Sequence, residues 1–251
     1  MSTFLQKNIH KKLLQQYKKF LATRYFFNLD ELAKIYLTDK GISHSYTKHY
    51  QFHFKNFKFK KINLLEIGVG GYENPLLGGN SLRMWKKYFP FGNIFSVDIY
   101  DKSRLQEKRI KIFQGSQVDE PFLKHVIEEI GDLDIIIDDG SHLNRHVIPT
   151  FEILFPYLKD GGIYVIEDTQ TSYWPSYGGD SKELSNPNTI MGFFKSIIDS
   201  LNNKEFFIPG YRQSYYDQKI ISMHFYHNLI FIYKGDNSEE SNKVINNSQF
   251  K

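Results

Sequence analysis

The sequence predicts a doubly wound α/β fold built on a seven-stranded, mostly parallel sheet with a C-terminal antiparallel hairpin, and three observations carry that prediction. From residue 62 onward, short runs of branched apolar residues alternate with longer stretches of helical periodicity, the pattern of parallel strands joined by crossover helices. Two of the runs end in acid: 133–137 leads into Asp138-Asp139-Gly140-Ser141-His142, and 163–166 into Glu167-Asp168. The last two β-rich runs, 219–226 and 229–233, are separated only by His227-Asn228. That gap is too short for a crossover helix, so they must pair antiparallel.

Taken in order, residues 3–37 read as helical, with Leu13, Leu14, Tyr17, Phe20 and Leu21 at helical spacing and a second helix starting near Leu29 with Asp30 as its cap. We assign 1–58 to an N-terminal helical cover that closes over the site. Strand 62–69, helix 81–88, strands 94–99 and 110–113, helix 119–130, strand 134–137, helix 147–158, strand 162–166 and helix 189–201 follow. The sheet domain spans 59–235, and 236–251 is a polar tail expected to fray.

Composition narrows the chemistry. The 251 residues are 41% hydrophobic and 24% charged, as in an ordinary globular chain, and residues 1–20 hold no continuous apolar run of a signal or membrane segment. A cytoplasmic protein without membrane insertion is expected. Zero cysteines exclude disulfides, thiolate zinc sites and a cysteine nucleophile, so any metal is held by oxygen or imidazole, which favours magnesium, manganese or calcium. The net charge of +4 and the Lys/Phe interleaving over 52–61 read most simply as a solvated edge, and no nucleic-acid partner is drawn from them.

Neighbouring parallel strands deliver their carboxyl ends to one sheet edge, where open α/β folds bind ligands. The first strand reaches Glu66 and then turns through Gly68-Val69-Gly70-Gly71, where missing side chains let a ligand touch backbone. A dinucleotide fingerprint needs a third glycine where Glu73 stands, and that carboxylate would repel a pyrophosphate. S-adenosylmethionine, with its sulfonium and ammonium, suits an acidic strand end, Glu66 lying near its methionine moiety. Asp98 ends the second strand, placed to accept a ribose diol, and Gln117 in Gln114-Gly115-Ser116-Gln117 offers an amide at the adenine edge. A sheet closed by a C-terminal antiparallel strand is also the class I methyltransferase (Rossmann-like) pattern.

Four segments carry a family resemblance: Thr38-Asp39-Lys40-Gly41 with His44, Tyr46 and Tyr50; Glu66 to Tyr72 with Gly78 to Trp85; Asp138 to His142; and Tyr164 to Asp168 with Tyr173-Trp174-Pro175 and Gly178-Gly179. In this order they resemble the metal-dependent O-methyltransferases acting on sugar hydroxyls of macrolide antibiotics, and their relatives in bacterial surface-polysaccharide pathways. The resemblance implies Asp139, Glu167 and Asp168 as ligands of Mg2+ (or Mn2+) and His142 as general base. It also implies Glu66, Gly68, Gly70, Ser81, Asp98, Gln117 and Tyr46 as contacts to S-adenosylmethionine. Nucleotide-linked sugars destined for capsule or lipopolysaccharide are the acceptor class it suggests, and a homo-oligomer is its prior for assembly. Two departures stand out: Ser116 replaces the aspartate many relatives have, and the large N-terminal extension of the macrolide enzymes is absent.

The chemistry fits these residue types. A sugar hydroxyl is a poor nucleophile at neutral pH, so methyl transfer needs help in making the alkoxide, which a metal and a neighbouring imidazole provide. Tyr173, Trp174 and Tyr177 follow the metal strand and offer aromatic surface for a small-molecule sugar or nucleotide-sugar substrate. Alternatives are an N-methyltransferase on an amino sugar, a metal-dependent glycosyltransferase, whose usual Asp-x-Asp spacing is missing, and a non-catalytic partner subunit. Asp138 is either a cofactor contact or a helix cap.

Overall fold

The computed structural model describes residues 2–242 and the short strands at 244–245 and 248–249. In chain order the elements are α1 (Ser2–Arg24), α2 (Leu29–Tyr36), α3 (Asp39–Ile42), α4 (Thr47–Phe54), β1 (Asn63–Ile67), α5 (Asn80–Tyr88), β2 (Asn93–Asp98), β3 (Ile110–Gln114), α6 (Glu120–Ile130), β4 (Leu133–Asp138), α7 (Asn144–Leu154), β5 (Leu158–Glu167), α8 (Ile190–Ser196), α9 (Tyr215–Lys219), β6 (Ile220–Tyr226), β7 (Leu229–Lys234), β8 (Val244–Ile245) and β9 (Ser248–Gln249). The main sheet has the order β3-β2-β1-β4-β5-β7-β6. Only β7 runs against the rest, inserted between β5 and β6 and antiparallel to both.

The sheet is buried on both faces, which is why its strands read as continuous apolar runs. Leu64, Ile135, Ile163 and Phe231 face α2, α4 and α5, where Leu32, Tyr50, Phe54 and Trp85 complete one core. Leu65, Ile136, Tyr164 and Ile232 face the other way, against Leu123 of α6, Phe151 of α7 and Phe194 of α8.

Several boundaries differ from expectation. Asn28, not Asp30, caps α2, its side chain accepting from Glu31 N at 3.1 Å. The helix expected at 147–158 runs from Asn144 to Leu154, because Pro156 forces a short 3-10 turn and β5 begins already at Leu158. The helix expected to reach residue 201 stops at Ser196 and continues as 3-10 turns. In α1 the helical spacing is realised, yet Leu13, Leu14, Tyr17 and Phe20 are 48–62% exposed and Ala22 is the residue buried in the core. Periodicity there identified a helix but not a partner for its stripe. Within the tail, β8 and β9 pair antiparallel, while residues 243, 246, 247, 250 and 251 lie outside the described residues. Among the described residues, no helix is long and apolar enough to cross a membrane.

Candidate active site

The ends of β1, β4 and β5 lie side by side, Ile67 in register with Asp138 and Asp138 with Ile166, so the turns after them share one edge. The glycine turn and the acidic turn are in contact. Gly68 has φ +95°, and a Cβ there would lie 2.2 Å from the Asp139 carbonyl oxygen, so only glycine lets the two turns close up. Asp139 N then donates to Ile67 O at 3.1 Å.

At the open side of this edge Asp139, His142 and Asp168 present donor atoms all within 4.8 Å of one another. His142 Nε2 lies 3.8 Å from Asp139 Oδ1 and 3.6 Å from Asp168 Oδ2. Both His142 (φ 56°) and Asp168 (φ 55°) adopt left-handed backbone. Such non-glycine conformations cost on the order of 1–3 kcal/mol and persist where surrounding structure imposes them, commonly at functional sites. His142 Nδ1 is buried without a hydrogen-bond partner.

Behind this triad lies a closed layer. Lys40, fully buried, places Nζ 2.6 Å from Asp139 Oδ2, 2.5 Å from Glu167 Oε1 and 3.2 Å from Glu66 Oε1. Burial alone would lower its pKa, but the charges of Asp139, Glu167 and Glu66 outweigh that and hold Lys40 well above the usual lysine range, as an ammonium. The Tyr50 hydroxyl also donates to Glu167 Oε1, and the Tyr46 hydroxyl donates to Asp168 Oδ1 at 2.7 Å. His44 Nδ1 approaches that same Asp168 oxygen at 3.4 Å. Each carboxylate is therefore divided: one oxygen is held by the segment 40–50, while Asp139 Oδ1 and Asp168 Oδ2 face His142. Both Glu167 hydrogen bonds fall on Oε1, leaving Oε2 without one among the described residues.

The expected cofactor contacts separate into two groups. Gly70 (φ +76°) borders open space, with nothing within 4 Å of a built Cβ, and Asp98 is half-buried, accepting from Val69 N and Tyr100 N at 2.9 Å each. Glu66, Ser81, Gln117 and Tyr46 make hydrogen bonds to protein groups. Glu66 is wholly buried, its Oε2 accepting from Trp85 Nε1 at 2.7 Å and its carboxylate hydrogen-bonded to Ser81. Burial pushes the Glu66 carboxyl up to about 6, against the pull of Lys40. Gln117 donates to Thr150 Oγ1 at 3.0 Å and to Asp138 Oδ1 at 3.3 Å while accepting from Ser141 N at 2.9 Å. It locks the 138–141 turn. Asp138 is buried beside it and pushed up to about 7 by that burial, an interior group rather than an exposed cap.

Trp174 is 48% exposed and its ring centroid lies 5.8 Å from that of Tyr177, with Tyr173 half-buried beside them. Buried Asn144 fixes this loop, donating to Thr171 O at 3.0 Å and Tyr177 O at 2.9 Å and accepting from Ile190 N at 2.7 Å. Neither Asn144 nor Lys40 was given a role by the sequence. A signal for Lys40 exists in the next residue: Gly41 abuts Ala33, with a built Cβ 2.6 Å from the Ala33 Cβ, and this close approach presses α3 against α2.

No protein-family model matches the chain. Mycinamicin VI 2''-O-methyltransferase of Micromonospora griseorubida is 45% identical over 214 residues, 84% of this chain and 54% of its own length. Demethylmacrocin O-methyltransferase of Streptomyces fradiae is 46% identical over 216 residues, again 84% of this chain and 54% of its own. The chain thus spans about half the length of the curated relatives it matches. Among solved structures, the MycE methyltransferase from mycinamycin biosynthesis, in complex with Mg and SAH, superposes with a TM-score of 0.83 at 44% identity, covering 86% of this chain and 57% of that one. Over the part that aligns, this chain is a homologue of the antibiotic sugar O-methyltransferases and carries their class I methyltransferase fold.

Proposed function

We propose that this chain is a divalent-metal-dependent enzyme that transfers a methyl group from S-adenosylmethionine to a sugar hydroxyl. The observation that carries this reading is the Asp139, His142 and Asp168 triad, within 4.8 Å and partly in imposed left-handed backbone, beside the glycine turn. Its carboxylate oxygens suit a hard cation, and the His142 imidazole beside them is left to take a proton. Asp139 and Asp168 are the residues that would hold Mg2+ or Mn2+, with Glu167 Oε2 as a third carboxylate oxygen. The ion supplies Lewis acidity that makes a nearby hydroxyl easier to deprotonate.

The chain's own groups supply the rest. His142 Nε2 faces Asp139 Oδ1 and Asp168 Oδ2, so a proton taken there from the acceptor gives an imidazolium flanked by two carboxylates. The acceptor oxygen attacks the methyl carbon, the carbon–sulfur bond breaks, and S-adenosylhomocysteine leaves with the bonding pair. Gly70 and Asp98 form the open cofactor edge, with Gly68 packed behind them against the Asp139 turn, while Trp174 and Tyr177 offer aromatic faces to a sugar ring. The relatives support the reading: they are named as O-methyltransferases, two of them of a rhamnosyl tetracenomycin and an olivosyl oleandolide, and MycE crystallised with Mg, SAH and mycinamycin VI.

The test is mass spectrometry of protein, S-adenosylmethionine and Mg2+ with two acceptor panels, nucleotide sugars of the kind used in surface polysaccharides and macrolide-like glycosides, with and without EDTA. A single methyl gain abolished by EDTA is expected. An EDTA-insensitive gain on an amino sugar would replace O-methylation by N-methylation, and failure to bind the cofactor would overturn the reading.

A further inference from the structure

Four carboxylates, Glu66, Asp139, Glu167 and Asp168, converge on one sheet edge, and such clusters repel unless a cation or proton separates them. Lys40 Nζ lies within 3.2 Å of three of the four and takes one oxygen each from Asp139 and Glu167. The oxygens it takes are Asp139 Oδ2 and Glu167 Oε1, whereas Asp139 Oδ1 remains turned toward His142. The ammonium is fully buried, and it comes from α3, 99 residues away in sequence from Asp139, so its place is set by tertiary packing rather than by a local turn. An ion pair closed off in this way is weak evidence of stabilisation by itself. Its geometry matters more: it holds one oxygen of each of two carboxylates, leaving Asp139 Oδ1 facing His142 and Glu167 Oε2 without a hydrogen bond among the described residues.

We infer that Lys40 is a positioning residue that presets Asp139 and Glu167 for a divalent metal by occupying one oxygen of each. This rests on the proposed metal-dependent reading and deepens it. Outer partners of metal ligands commonly contribute about 10–100-fold to metal affinity or activity. Two effects separate positioning from plain structural support. Without the ammonium the acids lack their built-in counter-charge, so an added cation should bind more tightly and stabilise the fold more. Yet turnover should fall, because the ligands are no longer oriented.

The experiment compares wild type with Lys40→Met in thermal denaturation and calorimetric titration with Mn2+ alone, and in methyl transfer at saturating Mn2+. The expected result is a lower melting temperature in EDTA, a larger Mn2+-induced gain than wild type shows, and turnover reduced about 10–100-fold. An equal Mn2+-induced gain with wild-type turnover would overturn the proposal. If Lys40→Met does not fold, Lys40→Arg, which keeps the charge but moves it, replaces it: a Mn2+-induced gain like that of wild type with turnover reduced about tenfold or more supports the positioning role, and wild-type turnover overturns it. Failure of the underlying reading would show separately, as wild-type protein that takes up no Mn2+.

Discussion

Glu66 and Glu167 sit at the ends of β1 and β5 in a closed layer, met by Lys40, Trp85 and Tyr50, while Asp139 and Asp168, one residue beyond β4 and β5, border open space. The inner pair is almost inaccessible and its polar contacts are with protein. The outer pair is half-buried, and its free oxygens converge on an imidazole whose backbone is left-handed. Acids adjacent in sequence, such as Glu167 and Asp168, thus do different work because a strand turns alternate side chains to opposite sides and the turn after β5 redirects the chain. The inner layer holds one oxygen of Asp139 through Lys40, and the outer pair turns its remaining oxygens to His142.

The largest effect should come from the outer layer. Asp168→Asn is expected to lower turnover by about 100-fold or more while leaving the melting temperature within a few degrees of wild type, read by methyl-transfer assay and thermal denaturation. Equal losses from an inner-layer change such as Tyr50→Phe would erase the distinction between the layers.

The seam between the turns is next. Gly68→Ala must bear both a φ of +95° and a Cβ at 2.2 Å from the Asp139 carbonyl oxygen, and should cost about 2–4 kcal/mol in urea denaturation. A smaller loss would mean that the acidic turn moves independently of the glycine turn.

Acid should act on the support of the inner layer. His53, on the α4 helix that also carries Tyr50, is buried between the Tyr233 hydroxyl at 2.7 Å and the Tyr226 hydroxyl at 3.0 Å. Burial, with smaller contributions from His224 and His49, depresses it from 6.5 to about 4. A depressed histidine pKa favours the neutral native form, so the stability it contributes is present above pH 6.5 and is lost as pH falls through about 4. The loss amounts to up to about 3 kcal/mol, and His53→Gln should flatten that part of the stability–pH curve.

The smallest stability change carries a sharp contrast in sign. His142→Gly removes the cost of left-handed backbone and should raise stability by about 1 kcal/mol, while turnover falls at least about tenfold and cofactor affinity holds. Unchanged turnover would reject His142 as the base.

Much of this arrangement was legible in the chain. The alternation of strands and helices, the hairpin at His227-Asn228 and the acids after β4 and β5 are local signals, because strand burial and turn length are written in neighbouring residues. The site was legible only in part. Glycine turns and strand-end acids mark an edge, but not the direction in which a side chain leaves it, so the hydrogen bonds of Glu66, Ser81, Gln117 and Tyr46 to protein groups were not legible.

The sequence by itself determined the sheet, its closing hairpin and the acids brought to one edge, since periodicity and turn chemistry act over a few residues. Only the tertiary structure decided which oxygen of each acid is free, because that depends on Lys40, Tyr46 and Tyr50 arriving from a segment 99 to 127 residues distant and burying one charge among several.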